Sequence, residues 1–307
     1  TLPVPGGPGC IDFPEPPMSW PILALVCALC QALADVLTRR FLSACTAAEV
    51  VVVRLGLTAI LLLPLMALRP PALPDPAFWG WVGLALPLEL LAMVLYMTAI
   101  QVSPLALTLP YLAFTPVFSA LFGWLLLGEQ VSARGLVGVL LVVIGTWALN
   151  LERPHAGRAR SWLAPLAAIG RERGSRLMLA VALIYSLTSV LGKGALQSLP
   201  ATVFGPFYYL LLGLFTVAFF SWREPRAIRR LWQPSWPHGL IAALSAGMVL
   251  THFLAIEQVQ VAYMIGLKRT SILFGILLGA LWLGETRLLQ HLLAACLMVL
   301  GVVLIVL

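Results

Sequence analysis

The chain has 307 residues, 61% of them hydrophobic and 10% charged, with 19 basic and 12 acidic side chains and a formal net charge of +7. Soluble domains carry about 25% charged residues, so this composition excludes a water-soluble globular protein. The apolar residues fall in runs of about twenty, long enough for helices across a ~30 Å hydrocarbon core, not in the ~10-residue alternating segments of a β-barrel. The expected class is an all-α integral membrane protein.

The first seventeen residues, "TLPVPGGPGCIDFPEPP", are rich in Pro and Gly and carry no base, so they lack the positive start of a signal peptide. Residues 1–18 read as a disordered tail, with Met18 a candidate natural start. Ten apolar spans follow, at 20–38, 47–68, 78–100, 104–127, 133–150, 177–197, 201–221, 238–257, 260–283 and 287–307. Between the fifth and sixth lies 151–176, with six arginines and Trp162, Leu163, Leu166 and Ile169 at helical spacing. That segment reads as a basic linker with an interfacial helix. Cys27 and Cys30 form a CxxC inside an apolar span, without a second ligand pair, and read as packing residues.

The two halves repeat. Gly128-Glu129 laid over Gly284-Glu285 gives an offset of 156, which also matches Phe118 to Phe274, Gly123 to Gly279, Val143 to Val299 and Gly145 to Gly301. Near the start the offset is 154: Leu25, Ala28, Val36 and Leu37 fall on Leu179, Ala182, Val190 and Leu191, and Arg39 on Lys193. Each copy, 19–150 and 177–307, holds five spans. An odd number inverts the second copy, and inverted repeats are typical of secondary transporters with a substrate site near the midplane.

Charge gives an orientation. Thirteen bases, among them Arg39, Arg40, Arg153, Arg223 and Arg287, fall in loops on the linker's side, against Arg69, Arg134 and Lys193 on the other. The positive-inside rule then puts the linker in the cytoplasm and both termini outside.

Two segments, "PVFSALFGWLLLGEQVS" at 116–132 and "SILFGILLGALWLGETRL" at 271–288, each carry an apolar helix to Gly-Glu and a further helix. On these, and over residues 19–307, the chain resembles the EamA-type family of the drug/metabolite transporter superfamily. The resemblance implies a carrier of ten helices in two inverted five-helix units, moving small metabolites, amino acids, drugs or nucleotide-sugar-like compounds. It does not fix a substrate. Ten-helix relatives usually keep both termini in the cytoplasm, the reverse of what the charges here predict.

Polar residues within spans are the candidate site. Lys268 and Arg269 lie roughly 6 Å and 4.5 Å from the centre of the ninth span at 1.5 Å rise per residue, where a charge costs about 2.5–3.5 kcal/mol on insertion scales. Successive residues point about 100° apart, so both face one pore only if the helix opens locally, which the polar run 266–272 allows. Either the pair binds an anionic or carboxylate-bearing substrate, or internal acids such as Glu257, Glu89 or Asp35 neutralise it. The matched residues in the first copy, Leu112 and Ala113, favour the substrate. Glu89 is a candidate for substrate or a coupling proton, with a pair to Arg54 as the architectural alternative. Asp35 is a second coupling candidate, with a local pair to Arg39, one turn on, as its alternative. Tyr96, Tyr111, Tyr208, Tyr209, Tyr263 and Thr270 are candidate walls, and Tyr111 and Tyr263 join Lys268, Arg269, Glu89 and Arg54 in the substrate set. Glu129 and Glu285 read as helix-start acids.

No HExxH, paired-acid metal site, GxSxG or P-loop is present, and no filter-like loop or charge ring speaks for a channel. No catalytic residue, metal or cofactor is called for, and no nucleic acid. The expected partners are membrane lipids and a small-molecule or lipid substrate, for a monomer or weak homodimer in a bacterial-type inner membrane. A flippase or carrier of a lipid-linked phosphate is the alternative to a carrier of small anions.

Overall fold

The computed structural model describes residues 19–102, 109–149, 173–232, 235–275, 278 and 288–306. The tail at 1–18, the interfacial helix expected in the linker, and Glu285 lie outside the described residues, as do parts of the fourth and ninth spans.

Helix α1 (Trp20–Phe41) starts at Ser19 with Pro21 in its first turn and ends on Arg39 and Arg40, a polarity that suits a helix at both ends. Helix α2 (Ala47–Leu68) opens on a capping box, the Thr46 amide donating to Glu49 at 2.9 Å and the Glu49 amide to the Thr46 hydroxyl at 3.2 Å. Its second turn widens to a π-helix over Val52–Leu57, which carries Arg54; such single-turn bulges are frequent at functional sites. Helix α3 (Pro76–Val102) is capped by Asp75, whose carboxylate accepts from the Phe78 amide. A 3₁₀ turn, Leu109–Phe114, leads into α4 (Thr115–Leu127), which stops at Gly128 with φ 67. That left-handed residue sends its own amide to the Trp124 carbonyl at 3.2 Å, the bond of an αL helix end, and the Glu129 amide folds back to the Gly123 carbonyl. Then come α5 (Ala133–Leu149), α6 (Arg173–Ala195), α7 (Ala201–Arg223), the short α8 (Pro225–Trp232), α9 (Trp236–Gln258), α10 (Val261–Lys268) and α11 (Leu288–Val306).

Among the described residues, six helices are long and apolar enough to cross a membrane: α1, α2, α3 to Ala99, α6, α7 and α9. Tyr111–Leu127, Ala133–Gly145 and Cys296–Val306 are shorter apolar helices. The ninth span is interrupted: after α10 the chain turns at Arg269 and Thr270 and regains helix at 271–275. The Thr270 amide bonds three residues back to Leu267, and the Ile272 amide three back to Arg269, the tighter pattern of a 3₁₀ turn. In the first copy the 3₁₀ turn ends at Phe114, the residue matched to Thr270.

Packing partners follow the sequence repeat. Helix α1 packs on α9 as α3 packs on α6, and α4 on α6 as α10 on α1. Helices α2 and α7, α4 and α10, and α5 and α11 each pack on their own counterparts. Exchanging the copies leaves this list of contacts unchanged. At the α5–α11 crossing a Cβ on Gly138 would stand 2.7 Å from the Gly301 carbonyl oxygen, so the backbones touch there, as small residues allow between membrane helices.

Candidate functional site

A cavity of about 330 Å³ lies at the centre, walled by α1, α2, α3, α6, α7, α9 and α10, the residues just after α10, and Leu112 before α4. Among the described residues, none of α5 or α11 lines it. Its charged residues are Arg39, Arg54, Lys268 and Arg269, with Asp35 and Glu89. The rest of the wall is largely apolar and aromatic, including Met93, Tyr96, Tyr185, Tyr208 and Tyr209.

The π turn of α2 aims Arg54, 5% exposed, across to α1, where its guanidinium meets Asp35 at 2.5 Å. The other Asp35 oxygen accepts from the Gln31 amide at 2.8 Å. Asp35 therefore pairs with Arg54 and not with Arg39, which is exposed and lines the cavity. One turn along a single helix brings Asp35 and Arg39 near each other, but the buried Arg54 has no water to replace a partner, so it holds the carboxylate. The alternative pair of Glu89 with Arg54 is absent for the same reason; Glu89 has the Thr188 hydroxyl beside it.

Lys268 ends α10 and Arg269 sits in the turn that follows, and both line the cavity. The 100° separation of a regular helix does not apply across that break. Lys268 Nζ stands 3.5 Å from both His252 Nδ1 and Met248 Sδ. The Arg269 Nε is buried and without a hydrogen-bond partner among the described residues. Neither cation is in an ion pair there: the three pairs among the described residues are Arg54–Asp35, Lys193–Glu129 and Arg230–Glu49. Glu257, a candidate to neutralise them, instead accepts from the Ala201 amide at 3.1 Å, at the first residue of α7.

Tyr111 and Tyr263 stand elsewhere. Tyr111 is fully buried among Met178, Val181 and Ala182 of α6. Tyr263 accepts from the Ser132 amide at 3.0 Å and fills the space over Gly135, where a Cβ would lie 2.0 Å from its oxygen. Glu129 also departs from the expectation of a carboxylate serving its own helix. It accepts from the Val261 amide at 2.9 Å, at the first residue of α10, and pairs with Lys193 at 2.6 Å. The acid suits a helix start, but that of the other copy. Lys193 also donates to the Val259 carbonyl at 2.5 Å, so it turns inward and does not snorkel.

Sequence reasoning missed Gln31, Tyr185, Thr188 and Ser189. Carrying the repeat register onto the walls would have found most of them. At offset 154, Gln31 matches Tyr185, Asp35 matches Ser189 and Arg54 matches Tyr208; at 156, Glu89 matches Ser245, Tyr96 matches His252 and Leu112 matches Lys268. Both members of every pair line the cavity.

Helices long and apolar enough to cross a membrane thus surround a central charged cavity. The model of the EamA-like transporter family matches residues 18–151 and again 173–307, and the chain belongs to that family. It is 34% identical over 67 residues to the probable 4-amino-4-deoxy-L-arabinose-phosphoundecaprenol flippase subunit ArnE of Enterobacter sp. (strain 638). That match takes in 22% of this chain and 63% of the relative. One solved structure superposes with a TM-score of 0.67 over 93% of this chain and 94% of its own, at 18% identity, a likeness of fold alone. The chain is thus a multi-pass membrane protein of a transporter family.

Proposed function

We propose that the chain is a secondary carrier that binds the anionic or carboxylate-bearing part of a small metabolite in the central cavity and moves it by alternating access between two inverted five-helix repeats. The observation that carries this reading is that, among the described residues, the buried Arg269 Nε has no hydrogen-bond partner and neither Arg269 nor its neighbour Lys268 is in an ion pair, while both line the cavity. Buried charge is kept where something neutralises it; Asp35 does so for Arg54, and a bound anion would do so for Lys268 and Arg269. Glu89, with Thr188 and no cation in pairing distance among the described residues, is the candidate for a coupling proton; Asp35, held by two partners, is the weaker one. The pairwise packing of matched helices supports the repeat, with the units at 19–150 and 177–307.

Alanine at both Lys268 and Arg269 removes two charge-assisted hydrogen-bonding groups, each worth about 1.5–3 kcal/mol. Uptake into proteoliposomes should fall at least tenfold while the protein stays folded. Full transport by a folded double variant would sink the reading.

The second reading, a flippase or carrier of a lipid-linked phosphate, is favoured by the likeness to the flippase subunit and by the apolar and aromatic part of the cavity wall. Flux assays that set water-soluble anions against a lipid-linked phosphate separate the two. On either reading the protein belongs in a bacterial-type inner membrane with residues 151–176 cytoplasmic and both ends outside. A reporter fused after Leu307 should read as periplasmic, and cytoplasmic activity there would reverse the orientation.

A further inference from the structure

Helix α8 joins the end of α7 to the start of α9, so it is tied to two membrane-crossing helices. One of its faces is committed to the protein. Ala227 is fully buried, and Leu231 lies over Gly56 of the π turn, 3.0 Å from where a Cβ there would stand. Arg230 donates to Glu49 at 2.9 Å, a bond that raises its pKa. The Thr46 hydroxyl reaches Glu224 at 3.3 Å. Glu49 and Glu224, the acids of this region, are therefore both partnered within the protein.

The other face is turned outward. Arg226 and Arg229 of α8, and Arg223 at the end of α7, are exposed and form no ion pair among the described residues. Trp222, near the end of α7, and Trp232, the last residue of α8, are each 83% exposed, and Trp236, at the start of α9, is 69% exposed. Trp236 meets Phe41 edge-on at 5.0 Å, and the Arg40 guanidinium stands 5.5 Å from the Phe41 ring centre. Tryptophan rings settle at the headgroup level of a bilayer, and arginines near that surface are drawn to anionic lipids. A soluble acidic partner would account for the arginines but not for three uncovered indoles at the end of two membrane helices.

We propose that α8, with Arg223, Arg226 and Arg229 between Trp222 and Trp232, is a docking site for anionic phospholipid headgroups. Native mass spectrometry of the full chain, carried in detergent with either phosphatidylglycerol or phosphatidylcholine, tests it. Phosphatidylglycerol should be retained in preference. The preference should drop roughly fivefold per arginine removed in Arg223→Gln/Arg226→Gln/Arg229→Gln, and stay unchanged in Arg69→Gln/Arg134→Gln. Should the triple variant lose its fold, Arg226→Gln alone carries the same test. Equal binding of the two lipids, an unchanged preference in the α8 variants, or an equal loss in the Arg69/Arg134 control would overturn the proposal. So would displacement of phosphatidylglycerol by free glycerol phosphate at the same concentration, which would mean a phosphate site and not a lipid one.

Discussion

On α1, Asp35 reaches into the cavity and holds Arg54 of α2. At the matched place on α6 stands Ser189, whose hydroxyl turns back to the Tyr185 carbonyl at 2.7 Å, and Arg54 is matched by Tyr208. The first copy supplies both carboxylates of the wall and the paired arginine; the second supplies Lys268, Arg269, three tyrosines, His252 and Ser245. The copies thus share many of the positions that face the cavity and differ on what stands there, although Arg39 and Arg269 line it while their matches, Lys193 and Ala113, do not. Position follows from helix packing, which a duplicated apolar pattern conserves. Charge follows from whatever neutralises it, and that is settled site by site.

The largest break in this comparison should come from Asp35. Asp35→Ala leaves a guanidinium 5% exposed without its carboxylate, whereas Ser189→Ala removes a hydroxyl bonded within its own helix. The first should cost about 3 kcal/mol, at the lower end for a broken buried pair because Asp35 is partly open to the cavity. The second should cost under about 1 kcal/mol. Thermal unfolding in one detergent compares them. Equal losses would mean that Arg54 finds another partner and that the copies differ less than the geometry implies.

Much of this was legible in the sequence, for physical reasons that differ by residue. The long spans were readable because twenty apolar residues have few other uses. Lys268 and Arg269 stood out because charge at that depth is costly, and the break that lets both reach the cavity was foreshadowed by polar residues at 266–272. The partners were not legible. Asp35 has Arg39 one turn away in sequence, and only the fold brings Arg54 nearer. Tyr111 and Tyr263 carry the same side chain as Tyr208 and Tyr209, so composition could not separate two packing tyrosines from two in the cavity wall. Ser189 and Thr188 carried no signal alone, since hydroxyls are common in membrane helices; for Ser189 the repeat register was the signal, through Asp35 at offset 154, while Thr188 falls on Ala34, which is outside the wall.

A smaller effect is expected where α5 crosses α11. The residue matched to Gly138 in the second copy is Ala294, so Gly138→Ala makes the copies more alike in sequence. It should nonetheless destabilise, because the new Cβ would sit 2.7 Å from the Gly301 carbonyl and 2.8 Å from Ile305. Overpacking of this kind costs about 1–3 kcal/mol, and a rigid backbone neighbour gives little relief. A variant as stable as the parent in thermal unfolding would show that the two helices can separate without loss.

The smallest expected change is Tyr263→Phe, which tests the boundary between wall and core. The matched residue in the first copy is Leu107, so an apolar side chain is acceptable in that register. The phenol accepts from the Ser132 amide, and its ring occupies the space left by Gly135. Phenylalanine keeps the ring and loses that bond and the 3.1 Å hydrogen bond between the phenol and the Ser132 hydroxyl. Ser132 is exposed, so water can take over its amide and the loss should be about 0.5–1 kcal/mol. Transport KM should not move, because Tyr263 is outside the cavity wall. Tyr208→Phe, made alongside, alters a side chain that does line the cavity, and should move KM even if stability holds. If Tyr263→Phe shifted KM as far as Tyr208→Phe, the substrate's path would have to run between α5 and α10 as well. The cavity described here would then be only part of the site.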